Sequence, residues 1–171
     1  MEIRLIELAA LQLGLSLFLG MAILYLTYQI VRKILAKRYQ ITEHNTAFSL
    51  FLGAILFSVG YIVSSVIEPL LSTFRMLTGS ISEISTLILE FSKYLIFFFS
   101  ISTLIALVIN AIGIYLFTWL THINEFEEIK KNNVSVAITT AAIIIVMTLF
   151  AKDGVVFLLE SIVPYPSMPT I

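Results

Sequence analysis

No cysteine occurs in the 171 residues, which removes disulfides, thiolate nucleophiles, Cys-ligated zinc and iron–sulfur clusters from consideration. Charge is almost as scarce. Asp, Glu, Lys and Arg make up 12% of the chain, about half their share in a soluble globular domain. Ten Lys and Arg against eleven Asp and Glu leave a net charge of −1, so no basic surface exists to neutralise a phosphate backbone and nucleic acid is a poor candidate partner. The two histidines, His44 and His122, stand beside charged loops with no metal-ligand spacing around them. GxxxxGK, HExxH and GxSxG signatures are all missing, and no paired carboxylates fall inside the apolar runs. The expectation is therefore no catalytic residue, no metal and no cofactor.

What the chain has instead is hydrocarbon: 59% of residues are apolar, against about 45 to 50% in a globular protein. Four runs carry no charge at all: Leu8 to Val31, Asn45 to Ile67, Tyr94 to Thr121 and Asn132 to Ala151. Each reaches the roughly 20 residues that cross a hydrocarbon core of about 30 Å, where every backbone amide must be paired. A lipid-facing β-barrel would need strict alternation in segments of about ten residues, which these runs lack. The fold class is read as all-α, a polytopic membrane protein with four transmembrane helices. The first run is too long for a signal-peptide core, and its flank carries Glu2 and Glu7 beside Arg4, so it is expected to stay in the mature protein.

Arg32, Lys33, Lys37 and Arg38 lie between the first two runs, and Lys130 and Lys131 between the last two. By the positive-inside rule these six outweigh Arg4, Arg75, Lys93 and Lys152 on the other side and place both termini outside. Tyr25, Tyr28, Tyr39, Tyr115 and Trp119 gather near the proposed inner ends, with Tyr94 and Tyr165 near the outer ones, as interfacial anchors do.

The chain divides into a first transmembrane hairpin (1–68), an amphipathic connector on the outer side (69–92), a second hairpin with an outer extension (93–163) and a Pro-rich tail (164–171). In the connector, Glu68-Pro69 reads as a helix break and restart, because proline suits a first helical turn. Thr78-Gly79 reads as a second interruption. Ser80 and Glu83 have capping-box spacing, which starts a helix near Ile81 that runs into the third span. Leu70, Phe74, Leu77, Ile81, Ile84, Ile88 and Phe91 recur at steps of three and four, the stripe of an amphipathic helix, read as interfacial packing or as a lid over a pathway. The fourth helix outruns its charge-free core through Lys152-Asp153-Gly154 to Val163, which brings Glu160 level with Lys93 for an ion pair between the two outer extensions.

Laying Glu43 to Leu56 on Lys131 to Ile144 places Asn45 on Asn133, Gly53 on Ala141 and Ala54 on Ala142. Each half then forms one hairpin, and the two are arranged as parallel helical-hairpin repeats about an axis along the membrane normal.

Small residues let helices approach closely in lipid. Ser49, Gly53, Gly60 and Ser64 form such a stripe on the second helix, with Ala54 and Ser58 beside it. Thr103, Ala106, Asn110 and Gly113 form one on the third, and Ser135, Thr139 and Ala142 one on the fourth. These seams fit packing inside one bundle, an oligomer interface or a wet pathway. Asn45 and Asn133 open the second and fourth helices as caps, or as a paired positive-dipole site for an anion. Asn110 falls near mid-bilayer, where an unpaired amide is costly, and calls for an interhelical partner or water. Lys152 and Asp153 reach the outer boundary, as a snorkelling anchor with a local ion pair or as a charged mouth.

The second span and its lead-in, His44-Asn45-Thr46-Ala47 through Leu50, Leu52, Gly53-Ala54, Leu56, Ser65 and Ile67, resemble a bacterial inner-membrane family known as domain of unknown function 350. Glu127-Glu128-Ile129, Asn132-Asn133 and Ala141-Ala142 resemble the corresponding lead-in of a second hairpin. His44 stands where that family usually has glycine, and Lys152-Asp153 and the VPYP tail depart from its simplest members. The resemblance implies a bacterial cytoplasmic membrane and, in some settings, envelope-stress machinery, without an established reaction. Two functions compete. One is an oligomeric ion or small-solute pathway using Asn110, Lys152, Asp153, Glu160 and Lys93. The other is a scaffold or accessory subunit whose seams bind another membrane protein and whose basic loop meets anionic lipid.

Overall fold

The computed structural model describes residues 2–39, 45–81 and 83–162; His44 and the tail from 163 onward lie outside them. Six helices follow one another: α1 (Glu2–Tyr39), α2 (Thr46–Ser64), α3 (Ile67–Ser80), α4 (Ile84–Thr121), α5 (Glu125–Lys130) and α6 (Val134–Ile162). No strand occurs among the described residues. Four stretches are long and apolar enough to span a membrane: Leu17–Leu35, Thr46–Ser80, Ile84–Thr121 and Val134–Ile162.

Local chemistry sets the ends. Asn45, in extended conformation, accepts from the Phe48 N–H and starts α2. The α2–α3 joint comes at Ser65-Val66, where the Ser65 hydroxyl and N–H both turn back to the Ile62 carbonyl, at 2.6 and 3.2 Å. Proline at position 69 then sits in the first turn of α3, where no intrahelical donor is needed. The expected break at Glu68-Pro69 therefore falls a few residues earlier. Thr78-Gly79 does not interrupt α3, which runs on to Ser80. Glu83, expected as the third helical residue of a capping box, is itself the N-cap of α4, its carboxylate accepting from Ser85 and Thr86.

The amphipathic stripe splits at this corner. Leu70 and Leu77 are buried and Phe74 meets Phe91 edge-on at 4.9 Å, whereas Ile84 and Ile88 face outward. The proposed connector boundaries at 68/69 and 92/93 fall inside α3 and α4, without a break in either.

Helices α2, α4 and α6 make the core, with α2 against α6 the most extensive contact. Links from Ala47 to Asn132, Ser58 to Thr148 and Tyr61 to Lys152 advance together along both segments, so α2 and α6 run in the same direction. Phe51, Val59, Ile62, Phe98, Ala106 and Ile144 are fully buried between them. Helix α1 packs chiefly on α2 and leaves Leu17, Phe18 and Met21 exposed. Outward-facing Leu104, Tyr115, Trp119 and Phe150, the last 82% exposed, form a greasy exterior that water would not tolerate at this density and lipid would solvate. At about 1.5 Å per residue α4 is roughly 57 Å long and α6 roughly 43 Å, so both outrun the hydrocarbon.

Candidate functional site

Three layers of polar chemistry run along the α2–α6 seam. We call the end holding α5 the near end and the end holding α3 the far end.

At the near end the polar groups close on one another. The Asn45 side chain accepts from Phe48 N–H at 2.8 Å and donates to the Ile129 and Lys130 carbonyls at 2.7 and 3.3 Å. Asn132, held in the left-handed region at φ 62, returns the favour by accepting from Ala47 N–H at 3.0 Å. Asn133 accepts from Val136 N–H at 3.3 Å, as Asn45 does from Phe48, and donates to Glu128 at 2.9 Å. Two of the amides that an anion would need at the start of α2, those of Ala47 and Phe48, are thus engaged by the chain's own side chains. Lys131, hydrogen-bonded to Glu128, holds that carboxyl below its ordinary range with help from Asn133, and is itself pushed up in return. Glu125 is 1% exposed and receives the hydroxyls of Thr118 and Thr121, which pins α5 to the last turns of α4.

Midway along the bundle, Asn110 finds the interhelical partner its position demands. Ser58 donates to its Oδ1 at 2.6 Å, and the Thr148 hydroxyl lies 2.6 Å from Ser58 Oγ. All three are buried, and the Asn110 amide nitrogen has no partner. Thr148 also reaches the Ile144 carbonyl at 2.7 Å.

At the far end the seam opens into a cavity of about 840 Å³ between the α2–α3 joint and α6. Lys152, Asp153 and Glu160 line it, as do Glu68 and three serines. The Lys152 ammonium sits over the Tyr61 ring, 5.1 Å from its centroid, and bridges to none of the three carboxylates. The expected pair between Glu160 and Lys93 does not form: Lys93 bonds Glu90 at 2.6 Å, one turn away on its own helix, and Glu160 turns into the cavity. The structure thus brings Lys152, Asp153 and Glu160 together, and keeps Lys93 and Asn110 apart from them.

The small residues divide by face. Ala106 and Gly113 pack inside, Gly113 against Met147, and Gly60 meets Leu24. Thr103 is half-buried and bonds the Phe99 carbonyl. Ser49, Gly53 and Ser64 lie on the exposed side of α2, where a Cβ on Gly53 would touch nothing. Ser135, Thr139 and Ala142 are likewise exposed on α6.

Sequence reasoning missed Thr148, Asn132, Glu125 and Glu68. Depth offered a signal for the first: Ser58, Asn110 and Thr148 all lie roughly 17 to 22 Å from the near ends of their helices at 1.5 Å per residue. Among the described residues no group of three His, Cys, Asp or Glu converges as a metal would require.

An all-helical bundle with a lipid-solvated exterior and four spans defines a multi-pass integral membrane protein. The chain belongs to the family described as Domain of Unknown Function (DUF350), which matches residues 4–155. No curated protein and no solved structure matches it.

Proposed function

We propose that this protein is the subunit of an oligomeric pathway for cations or small cationic solutes, with the far-end cavity as its vestibule. The observation that carries the reading is the cavity's charge: Glu68, Asp153 and Glu160 against Lys152 alone, with the lysine turned onto Tyr61. An excess of one sign within low-dielectric walls concentrates counter-ions at a mouth. Ser58, Asn110 and Thr148 continue the polar seam about one to two turns deeper, and their mutual hydrogen bonds close it within a single chain. Completing a route is therefore assigned to contacts between copies. The two hairpins are read as parallel repeats, with both termini outside a bacterial cytoplasmic membrane, because six of the ten Lys and Arg lie toward the near end.

The test is flux through liposomes containing the purified chain. Potassium flux that falls at least tenfold in a Glu68→Gln/Asp153→Asn/Glu160→Gln variant, with Asn110→Leu and Lys152→Ala as further probes, supports the pathway. Silence under every ionic condition overturns it. A monomeric particle in detergent would count against it as well.

A second reading, a scaffold or accessory subunit, is favoured by the outward Ser49–Gly53 face, where both residues are exposed and a Cβ on Gly53 would meet nothing among the described residues. A co-purifying membrane protein released by Gly53→Leu, in a chain silent to ions, would select it.

A further inference from the structure

We infer that a water molecule is bound in the middle layer of the bundle, bridging Asn110 of α4 to Thr27 of α1. This goes beyond the pathway reading and stands whether or not ions cross. Two orphaned groups carry it. The Asn110 amide nitrogen and the Thr27 hydroxyl are buried and have no hydrogen-bond partner among the described residues; their residues are 3% and 0% exposed. In hydrocarbon an unpaired polar group is costly. Thr27 is an exception in its own chain. Thr73, Thr140 and Thr148, equally buried, each donate to the carbonyl four residues back. The Ile23 carbonyl offers Thr27 the same bond, and the hydroxyl does not take it. Depth then relates the two groups. Thr27 lies about 18 Å from the end of α1 at Tyr39, level with Ser58, Asn110 and Thr148. Helix α1 packs on α2, and Leu24, one turn from Thr27, meets Gly60, two residues from the Ser58 that holds Asn110. Each of the four spans thus contributes a buried polar side chain at this depth.

Proton counting selects the ligand. Contacts of 2.6, 2.6 and 2.7 Å join Asn110 to Ser58, Ser58 to Thr148 and Thr148 to the Ile144 carbonyl, and the two hydroxyls bring one proton each. With the Asn110 nitrogen turned toward Ser58 the amide supplies the third, and donors run in one direction from Asn110 to Ile144. The atom facing away from Ser58 is then Oδ1, an acceptor; in the other orientation it is Nδ2, a donor. Water donates and accepts, so it answers either orientation, as it does the Thr27 hydroxyl. An ion would find no counter-charge. The fully buried charged side chain among the described residues is Glu125, at the near end, and Lys152, one turn beyond Thr148, is turned onto Tyr61. Ala106 and Gly113, one turn to either side of Asn110, carry no atom past Cβ into the layer. A bridging water is enthalpically close to a direct bond, and it gives α1, which packs chiefly on α2, a polar tie to α4.

The test uses the full chain in lipid bilayers, with asparagine labelled by nitrogen-15 and magnetisation transferred from water to the side-chain amides by solid-state NMR. Asn110→Leu assigns the signal among the five asparagines. Asn45 is the reference: it is 4% exposed, and its amide is taken by the Ile129 and Lys130 carbonyls although it lies nearer the bulk solvent. Transfer to Asn110 is expected to build up severalfold faster than to Asn45. Equal or slower transfer makes the layer dry and overturns the inference. Thr27→Val keeps the shape of the side chain and is expected to slow transfer to Asn110 severalfold and to lower the unfolding midpoint by about 2 °C, with transfer restored in Thr27→Ser. Unchanged transfer in the valine variant, or a midpoint that stays or rises because an unpaired hydroxyl has gone, overturns the bridge. If the valine variant does not fold, the comparison of Asn110 with Asn45 in the wild type decides alone. A wet Asn110 without ion flux would sink the pathway reading only, and flux with a dry Asn110 would sink this inference only.

Discussion

The two ends of the α2–α6 seam use polar residues in opposite ways. At the near end Asn45, Asn132, Asn133, Glu125 and Glu128 all find partners within the chain, across loops and helix starts. At the far end the carboxylates of Glu68, Asp153 and Glu160 find none among the described residues and face an open cavity. A satisfied network stabilises and fixes geometry, while unsatisfied like charges in a recess do neither. Under the proposed pathway reading, the near end maintains the fold and the far end meets the permeant species.

The largest expected effect tests the near end. Asn45→Ala removes a cap and strips the Ile129 and Lys130 carbonyls of their donor, costing about 3 kcal/mol. Thermal unfolding in detergent measures it, and an unchanged midpoint would break the contrast. Asn132→Gly keeps the left-handed backbone but loses the bond to Ala47 N–H, for about 1 kcal/mol by the same measurement. Asn110→Leu, midway, is expected to cost under about 1 kcal/mol, since the Ser58 hydroxyl that loses its acceptor can turn to Thr148, which falls back on the Ile144 carbonyl, and interhelical bonds in membranes are worth little on average. Replacing the three far-end carboxylates by amides should leave stability within about 0.5 kcal/mol or raise it. A large loss there would show the cavity to be structural.

The smallest effect concerns pH. Glu128 sits below its ordinary value because Lys131 and Asn133 bond the ionised form. Its contribution is therefore complete above the unfolded value of about 4.5 and disappears as pH falls through the lower folded value. Unfolding midpoints followed from pH 6 to pH 3 should converge for wild type and Glu128→Gln.

Much of this was legible from residue order. Uncharged length alone located four spans, because an unpaired amide in lipid is prohibitive. Asn45 and Asn133 could be read as caps, since a cap is a local bond three residues long, and the need of Asn110 for a partner followed from its depth. What local pattern does not carry is helix rotation. The stripe Ser49–Gly53 announces a close-approach face without saying that it points away from α4 and α6. The approach of Glu68 to Asp153 and Glu160 depends on how α3 leaves the Ser65-Val66 joint, which no periodicity encodes. Asn132 and Glu125 escaped for the same reason: one reaches a helix start far back in the chain, the other folds under a corner whose left-handed residue, His122 at φ 57, is not glycine.

The Asn45 clasp also constrains biosynthesis. Its partners at Ile129 and Lys130 are 84 and 85 positions downstream, so the ribosome delivers the first two spans before the carbonyls that tie them down exist. The nascent protein enters the bilayer in an unfinished form, and a stretch that emerges only after the third span fastens the start of the second.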